Sequence, residues 1–168
     1  MLYLIGFMGV GKTTIGRELA TNHNVNFIDT DEEIEKKSNN SILEIFQKNN
    51  ENYFRKVESI ILQKINKGTI VACGGGLPIY NNNMDFIKKT GVSIYLKASK
   101  QEIFNRINNN FSRRPLLINK SNKEIKHYIQ NTLVKREKFY EMADYIVDTS
   151  DLSKKDVLGE IDALSIRI

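Results

Sequence analysis

The octapeptide Gly6-Phe7-Met8-Gly9-Val10-Gly11-Lys12-Thr13 constrains this chain more than any other feature, because it fits G-x-x-x-x-G-K-[ST], the loop that wraps nucleotide phosphates. The apolar run 2–5 precedes it, and Thr14-Ile15-Gly16-Arg17-Glu18-Leu19-Ala20, with a helical pattern, follows it. A loop of this kind works between a strand and a helix, so the motif predicts an α/β fold as well as a ligand. Its glycines turn backbone N–H groups toward the phosphates, and the helix N-terminus adds partial positive charge. ATP or GTP would then lie against Gly9, Val10, Gly11 and Thr14. Lys12 would reach the β- and γ-phosphates, and the Thr13 hydroxyl would ligate Mg²⁺.

Short β-rich runs alternate with helical stretches along the rest of the chain. Strands are expected at 2–5, 25–28, 69–72, 92–96 and 144–147, and helices at 12–22, 31–37, 41–48, 51–66, 80–89, 99–107, 122–142 and 153–165. This is the pattern of a parallel α/β sheet. With 168 residues, 40% of them hydrophobic, a single domain over 1–168 is expected. The first ten residues are apolar but lack a basic start and a small-residue cleavage site, so they read as a buried strand rather than a signal. No later apolar run approaches bilayer length, so a soluble cytoplasmic protein without a membrane partner is expected, acting as a monomer. The single cysteine, Cys73, suits a reducing compartment and reads as a small buried hydrophobe. His23 and His127 have no metal-ligand spacing around them. The net charge of +5 comes mainly from 18 scattered lysines, with no basic stripe interleaved with aromatics, so no nucleic-acid partner is expected. Arginine is scarce, and five of the seven (Arg55, Arg106, Arg113, Arg114, Arg136) fall in segments with other signals. Planar two-donor contacts are the use to which lysine is poorly suited.

Two helices carry charges where their periodicity forbids them. In 51–66, Phe54, Val57, Ile61, Leu62 and Ile65 form an apolar stripe, with Glu58 inside it and Arg55 on its border. The two are neighbours at i, i+3 and would pair, either as a structural ion pair or with the guanidinium directed into a cleft. In 122–142, Arg136 falls near the centre of the stripe Ile125, Tyr128, Ile129, Leu133, Phe139 and Tyr140. A cation there needs an anion, from a neighbouring carboxylate or from a ligand. The second strand leads into Asp29-Thr30-Asp31, on the carboxyl edge where open α/β sheets bind ligands. One aspartate could approach Mg²⁺ through water and the other could orient or deprotonate an attacking hydroxyl. Alternatively Asp31, or Thr30 with Glu33, caps the next helix. Gly74-Gly75-Gly76 follows the third strand and lets backbone approach a ligand closely.

Taken together, these motifs resemble the shikimate kinase family over most of the chain. The resemblance is carried by the phosphate loop 6–13, Asp29-Thr30-Asp31, Phe54-Arg55-Lys56-Val57-Glu58, Gly74-Gly75-Gly76, Arg114-Pro115-Leu116-Leu117, Arg136-x-x-x-Tyr140 and Val147-Asp148-Thr149. It implies a five-stranded parallel sheet in the order 2-3-1-4-5, a substrate-binding cap over 31–61 and a lid over about 108–121. It also implies transfer of the γ-phosphoryl of ATP to the 3-hydroxyl of shikimate. Asp31, Arg55, Gly75 and Arg136 would hold shikimate, with the arginines on its carboxylate; Arg114 would close onto the ATP phosphates, Arg106 would lie over adenine, and Asp29 would support Mg²⁺ with Thr13. The loop after Asp148 departs from some members in lacking an arginine. Another small-molecule kinase of this loop class, acting on gluconate or a nucleoside monophosphate, is the alternative.

Overall fold

The computed structural model describes residues 1–109, 117 and 120–166. Its five strands are β1 (Leu2–Ile5), β2 (Asn26–Asp29), β3 (Thr69–Ala72), β4 (Val92–Lys97) and β5 (Tyr145–Asp148). They form one sheet in the order β2-β3-β1-β4-β5, and every pairing is parallel. Tyr3 lies opposite both Val71 and Ser93, which fixes β1 as the central strand. β1 and β3 are buried at every residue, whereas the edge strands β2 and β5 are mostly not. Continuous apolar runs are what a parallel strand covered on both faces requires.

The helices are α1 (Lys12–His23), α2 (Thr30–Ser38), α3 (Ile42–Lys48), α4 (Glu51–Gln63), α5 (Asn83–Thr90), α6 (Lys100–Asn108), α7 (Asn122–Tyr140) and α8 (Lys154–Ala163), with a 3₁₀ turn at Leu77–Ile79. Ser41, Ser121 and Ser153 begin α3, α7 and α8 with capping boxes closed by Glu44, Glu124 and Asp156. Such reciprocal bonds satisfy otherwise orphaned N–H groups and set where each helix starts.

Most boundaries shift by one or two residues from the sequence expectation, and three of the shifts bear on the site. The helix expected over 51–66 stops at Gln63, where the Lys64 N–H caps it on the Ile61 and Leu62 carbonyls, and the chain then turns through Gly68 at φ 72 before β3. The helix expected over 80–89 starts only at Asn83, since Asn81 and Asn82 both adopt left-handed backbone, at φ 53 and 54. The helix after β2 starts earlier than expected, at Thr30, and its cap is Asp29, which accepts from the N–H groups of Asp31 and Glu32. Neither Asp31 nor Thr30 is the cap. The expected lid over 108–121, with Arg113 and Arg114, lies largely outside the described residues.

Apolar packing falls into two clusters. The larger surrounds the sheet and includes the fully buried Leu2, Leu4, Phe7, Ile70, Val71 and Ile94. The smaller joins Ile34 of α2, Ile45 of α3, and Phe54 and Ile61 of α4. On the sheet, α1 lies so close to β1 and β2 that it needs glycine at position 16, where a Cβ would come within 2.5 Å of the Phe27 ring and 3.2 Å of Leu4. Gly16→Val should therefore overpack this contact and cost about 2 kcal/mol, read as a melting temperature lower by roughly 4–8 °C. An unchanged melting curve would show that α1 can move away from the sheet freely.

Candidate active site

The carboxyl ends of β1, β2 and β3 open onto one shared edge. After β1 the loop takes left-handed backbone at Gly6, Gly9 and Gly11, with φ of 138, 86 and 100. Residues with a Cβ rarely adopt such angles, so the glycines of the motif are required by the loop's path. The Lys12 ammonium donates to the carbonyls of Gly6 and Phe7, each at 2.9 Å. The Thr13 hydroxyl donates to Asp29 Oδ2 at 2.6 Å, joining the phosphate loop to the end of β2. Asp29 thus uses one oxygen on Thr13 and the other as the α2 cap.

Because α2 starts at Thr30, the two aspartates do not continue one strand face. The Asp31 carboxylate turns toward Gly74 and accepts no hydrogen bond from the described residues. Burial, followed by the nearby Asp29 carboxylate, pushes its pKa up to about 6, against the pull of Lys12 and Arg55.

The three glycines after β3 each face a different charged side chain. A Cβ on Gly74 would collide with Asp31 and come within 3.0 Å of Glu58 Oε1. One on Gly75 would stand 3.3 Å from Arg136 Nη1, and 3.5–3.6 Å from the Gly6 carbonyl and the Met8 amide of the phosphate loop. On Gly76 it would lie over the Arg55 guanidinium, 2.6–2.8 Å from Nη1, Cζ and Nη2. The backbone here is held from two sides: Gly74 N–H donates to the buried Thr30 hydroxyl at 2.7 Å, and the Tyr140 hydroxyl donates to the Gly75 carbonyl.

Arg55 and Glu58 pair at 2.6 Å, and Arg55 also reaches Glu51 through Nε at 3.2 Å and Nη2 at 3.0 Å. These contacts leave one N–H on each terminal nitrogen uncommitted among the described residues. Glu58 Oε1 is buried with no hydrogen-bond partner among them. Burial pushes the Glu58 carboxyl upward, while Arg55 pulls it down. Arg136 is partly buried beside Tyr140 and the Phe7 ring, and no described carboxylate lies within ion-pair distance of it. The choice left open for Arg136 therefore resolves against a protein carboxylate within the described residues. Arg55 is paired as expected, with both Glu58 and Glu51, and its guanidinium lies against Gly76.

On the other side of the phosphate loop, Gly9, Val10, Gly11, Thr14 and Arg106 line a cavity of about 270 Å³ that continues to Leu152 and Lys154. Arg106 bridges its walls by donating to the Thr149 carbonyl and hydroxyl, and is braced by Glu102 at 2.6 Å. Arg114 lies outside the described residues. Cys73 is buried, which pushes its thiol pKa upward and fits a packing role. Sequence reasoning assigned no role to Glu51 or Tyr80; Thr30 entered it as a candidate helix cap within Asp29-Thr30-Asp31, and Tyr140 through the apolar stripe and the Arg136-x-x-x-Tyr140 spacing.

A phosphate loop on a five-stranded parallel sheet, facing a wall of arginine and carboxylate side chains, defines the class of P-loop kinases that act on small molecules. The family model for shikimate kinase matches residues 8–164, and the chain belongs to that family. The shikimate kinase of Azobacteroides pseudotrichonymphae is 39% identical over 163 residues, covering 95% of this chain and 96% of that one. Among solved structures, a shikimate kinase from Bacteroides thetaiotaomicron superimposes with a TM-score of 0.92 at 30% identity, covering 98% of this chain and 97% of that one. A shikimate kinase from Acinetobacter baumannii in complex with shikimate gives 0.88 at 32% identity, covering 98% and 91%.

The Asp31 environment makes a prediction for stability. A carboxyl whose folded pKa is raised binds its proton more tightly in the folded state, so stability falls as pH rises from about 4 to about 6 and stays lower above that range. Asp31→Asn removes this penalty. The variant should be more stable than the parent by about 2 kcal/mol at pH 7.5, with the gain gone below about pH 4. Denaturant titration at the two pH values checks this, and a variant less stable at pH 7.5 would contradict the assigned environment.

Proposed function

We propose that this protein transfers the γ-phosphoryl group of ATP to the 3-hydroxyl of shikimate. The observation that carries the reading is the contact between the phosphate loop and the glycine triplet. Gly75 stands against both the loop backbone and Arg136, so an anionic acceptor held at the arginines would be next to the phosphates. Membership of the shikimate kinase family supports shikimate over gluconate or a nucleoside monophosphate.

In this reading 31–61 is the acceptor cap and about 108–121 the lid. Arg136 and the uncommitted N–H groups of Arg55 take the carboxylate of shikimate, the Gly75 backbone lies beside the ring, and Asp31 takes the hydroxyls. Asp31 has a pKa suited to a general base near neutral pH. The acceptor oxygen bonds to the γ-phosphorus, the bond from that phosphorus to the β,γ-bridging oxygen breaks, and the hydroxyl proton passes to Asp31. Lys12 follows the negative charge as it shifts to the leaving group, and Arg114, on the strength of its family motif, neutralises the ATP phosphates. Thr14 and Arg106 belong to the nucleotide side, with adenine in the cavity beside Arg106.

The Thr13 hydroxyl and Asp29 carboxylate suit Mg²⁺, a hard cation usually held by one or two carboxylates together with phosphates and water. No cluster of three or more acidic, histidine or cysteine ligands occurs among the described residues. Thr13 would hold the ion directly and Asp29 through water, and when bound it supplies neutralisation of phosphate charge. No described helix is long and apolar enough to cross a membrane. A cytoplasmic monomer working on small molecules is the setting this reading implies.

Positioning dominates such a reaction, and the closed site excludes water as an acceptor. Coupled assay of ADP release should therefore show turnover only when shikimate and Mg²⁺ are both supplied; ADP formed as fast without shikimate would overturn the reading. Arg136→Lys retains charge but loses the planar two-donor fork. Calorimetric titration should find shikimate binding weaker by roughly 2 kcal/mol with ATP affinity little changed. Unaltered shikimate affinity would remove Arg136 from the acceptor site.

A further inference from the structure

Tyr80 follows the 3₁₀ turn that leaves the glycine triplet, and it belongs to neither apolar cluster. The residue is 36% exposed, so core packing does not account for a large aromatic at this point. The ring centroid lies 4.4 Å from Arg55 Cζ. Its hydroxyl donates at 3.1 Å to Glu51 Oε1, the same oxygen that accepts from Nε and Nη2 of Arg55. Tyr80, Glu51 and Arg55 thereby form a closed cycle of contacts.

The segment bearing Tyr80 is fastened to α4 at Arg55 itself. Asn81 Nδ2 donates to the Arg55 carbonyl at 3.2 Å and to Ser59 Oγ at 3.0 Å. Left-handed backbone at Asn81 and Asn82 turns the chain away immediately afterwards. Arginine side chains have many rotamers, and a planar donor is useful to a carboxylate only when its plane is fixed beforehand. Glu58 holds Nη1 from inside at 2.6 Å, but Glu51, which takes Nε and Nη2, is a weak anchor because its side chain is 53% exposed and water competes for it. The Tyr80 hydroxyl restrains Glu51, and the ring restrains the guanidinium directly through a cation–π contact.

We propose that Tyr80 is a positioning residue that fixes the plane of the Arg55 guanidinium for an incoming substrate carboxylate. The proposal rests on the reading of Arg55 as part of the acceptor site. Tyr80 touches no residue of the phosphate loop in the contacts that define this cycle, so its effect belongs to shikimate rather than ATP.

The test compares Tyr80→Ala, Tyr80→Phe and Arg55→Lys by steady-state kinetics, shikimate calorimetry and melting curves. Tyr80→Ala should raise the shikimate KM and Kd about tenfold, with kcat and the ATP KM within about twofold of the parent. Tyr80→Phe keeps the ring and loses only the Glu51 bond, so it should restore most of the affinity. If Tyr80→Ala leaves shikimate affinity unchanged while Arg55→Lys loses it, the acceptor-site reading stands and the role of Tyr80 is refuted. If Arg55→Lys also binds shikimate normally, the reading beneath the proposal fails as well. A Tyr80→Ala variant that melts early and loses kcat, shikimate affinity and ATP affinity alike would make Tyr80 a structural residue and overturn the proposal.

Discussion

Close approach of bare backbone at residues 74–76 is the constraint around which the rest of the site is arranged. Asp31, Arg136 and Arg55 come from three different helices, yet each stands where a Cβ on one of these glycines would collide with it or crowd it. The wall is narrow because it has no side chains of its own, and so charges from α2, α4 and α7 can share it. Hydroxyls hold it in place, with Thr30 bound to the Gly74 amide and Tyr140 to the Gly75 carbonyl. Both are local bonds with a distant result, since each ties the segment after β3 to a helix that carries one of these charged residues.

This arrangement leaves charge in places that a purely structural core would avoid. Asp31 has no described hydrogen-bond donor, Glu58 has a buried oxygen with no described partner, and Arg136 has no described carboxylate beside it. Each is unfavourable in the folded protein taken alone. Local violations of this kind concentrate where a ligand completes the bonding. Arg55 differs, because two glutamates already neutralise it, and its contribution is geometry more than unpaired charge.

The fold was legible in the sequence because its strands are short, apolar and separated by strongly periodic helices, and because the phosphate loop has one structural context. The charges of α4 and α7 could be read for a similar reason, as polar residues at apolar phase in a 3.6-residue repeat. The α2 cap could not be read this way. Asp29, Thr30 and Asp31 all have capping chemistry, and only the register of β2 against β3, with Asp29 opposite Ala72, decides among them. Tyr80 and Glu51 were equally hidden, since their contacts join residues 29 positions apart across a turn set by two left-handed asparagines. No periodicity reports a contact of that kind.

Lys12 offers a last consequence. Its ammonium donates to the carbonyls of Gly6 and Phe7, so the loop is tied across its own opening by the group that the proposed function assigns to phosphate oxygens. Under that proposal, nucleotide arrival is a substitution of partners on a loop already in shape, with stronger anionic acceptors replacing neutral ones. A loop already bonded in this shape has less chain entropy to lose at that step.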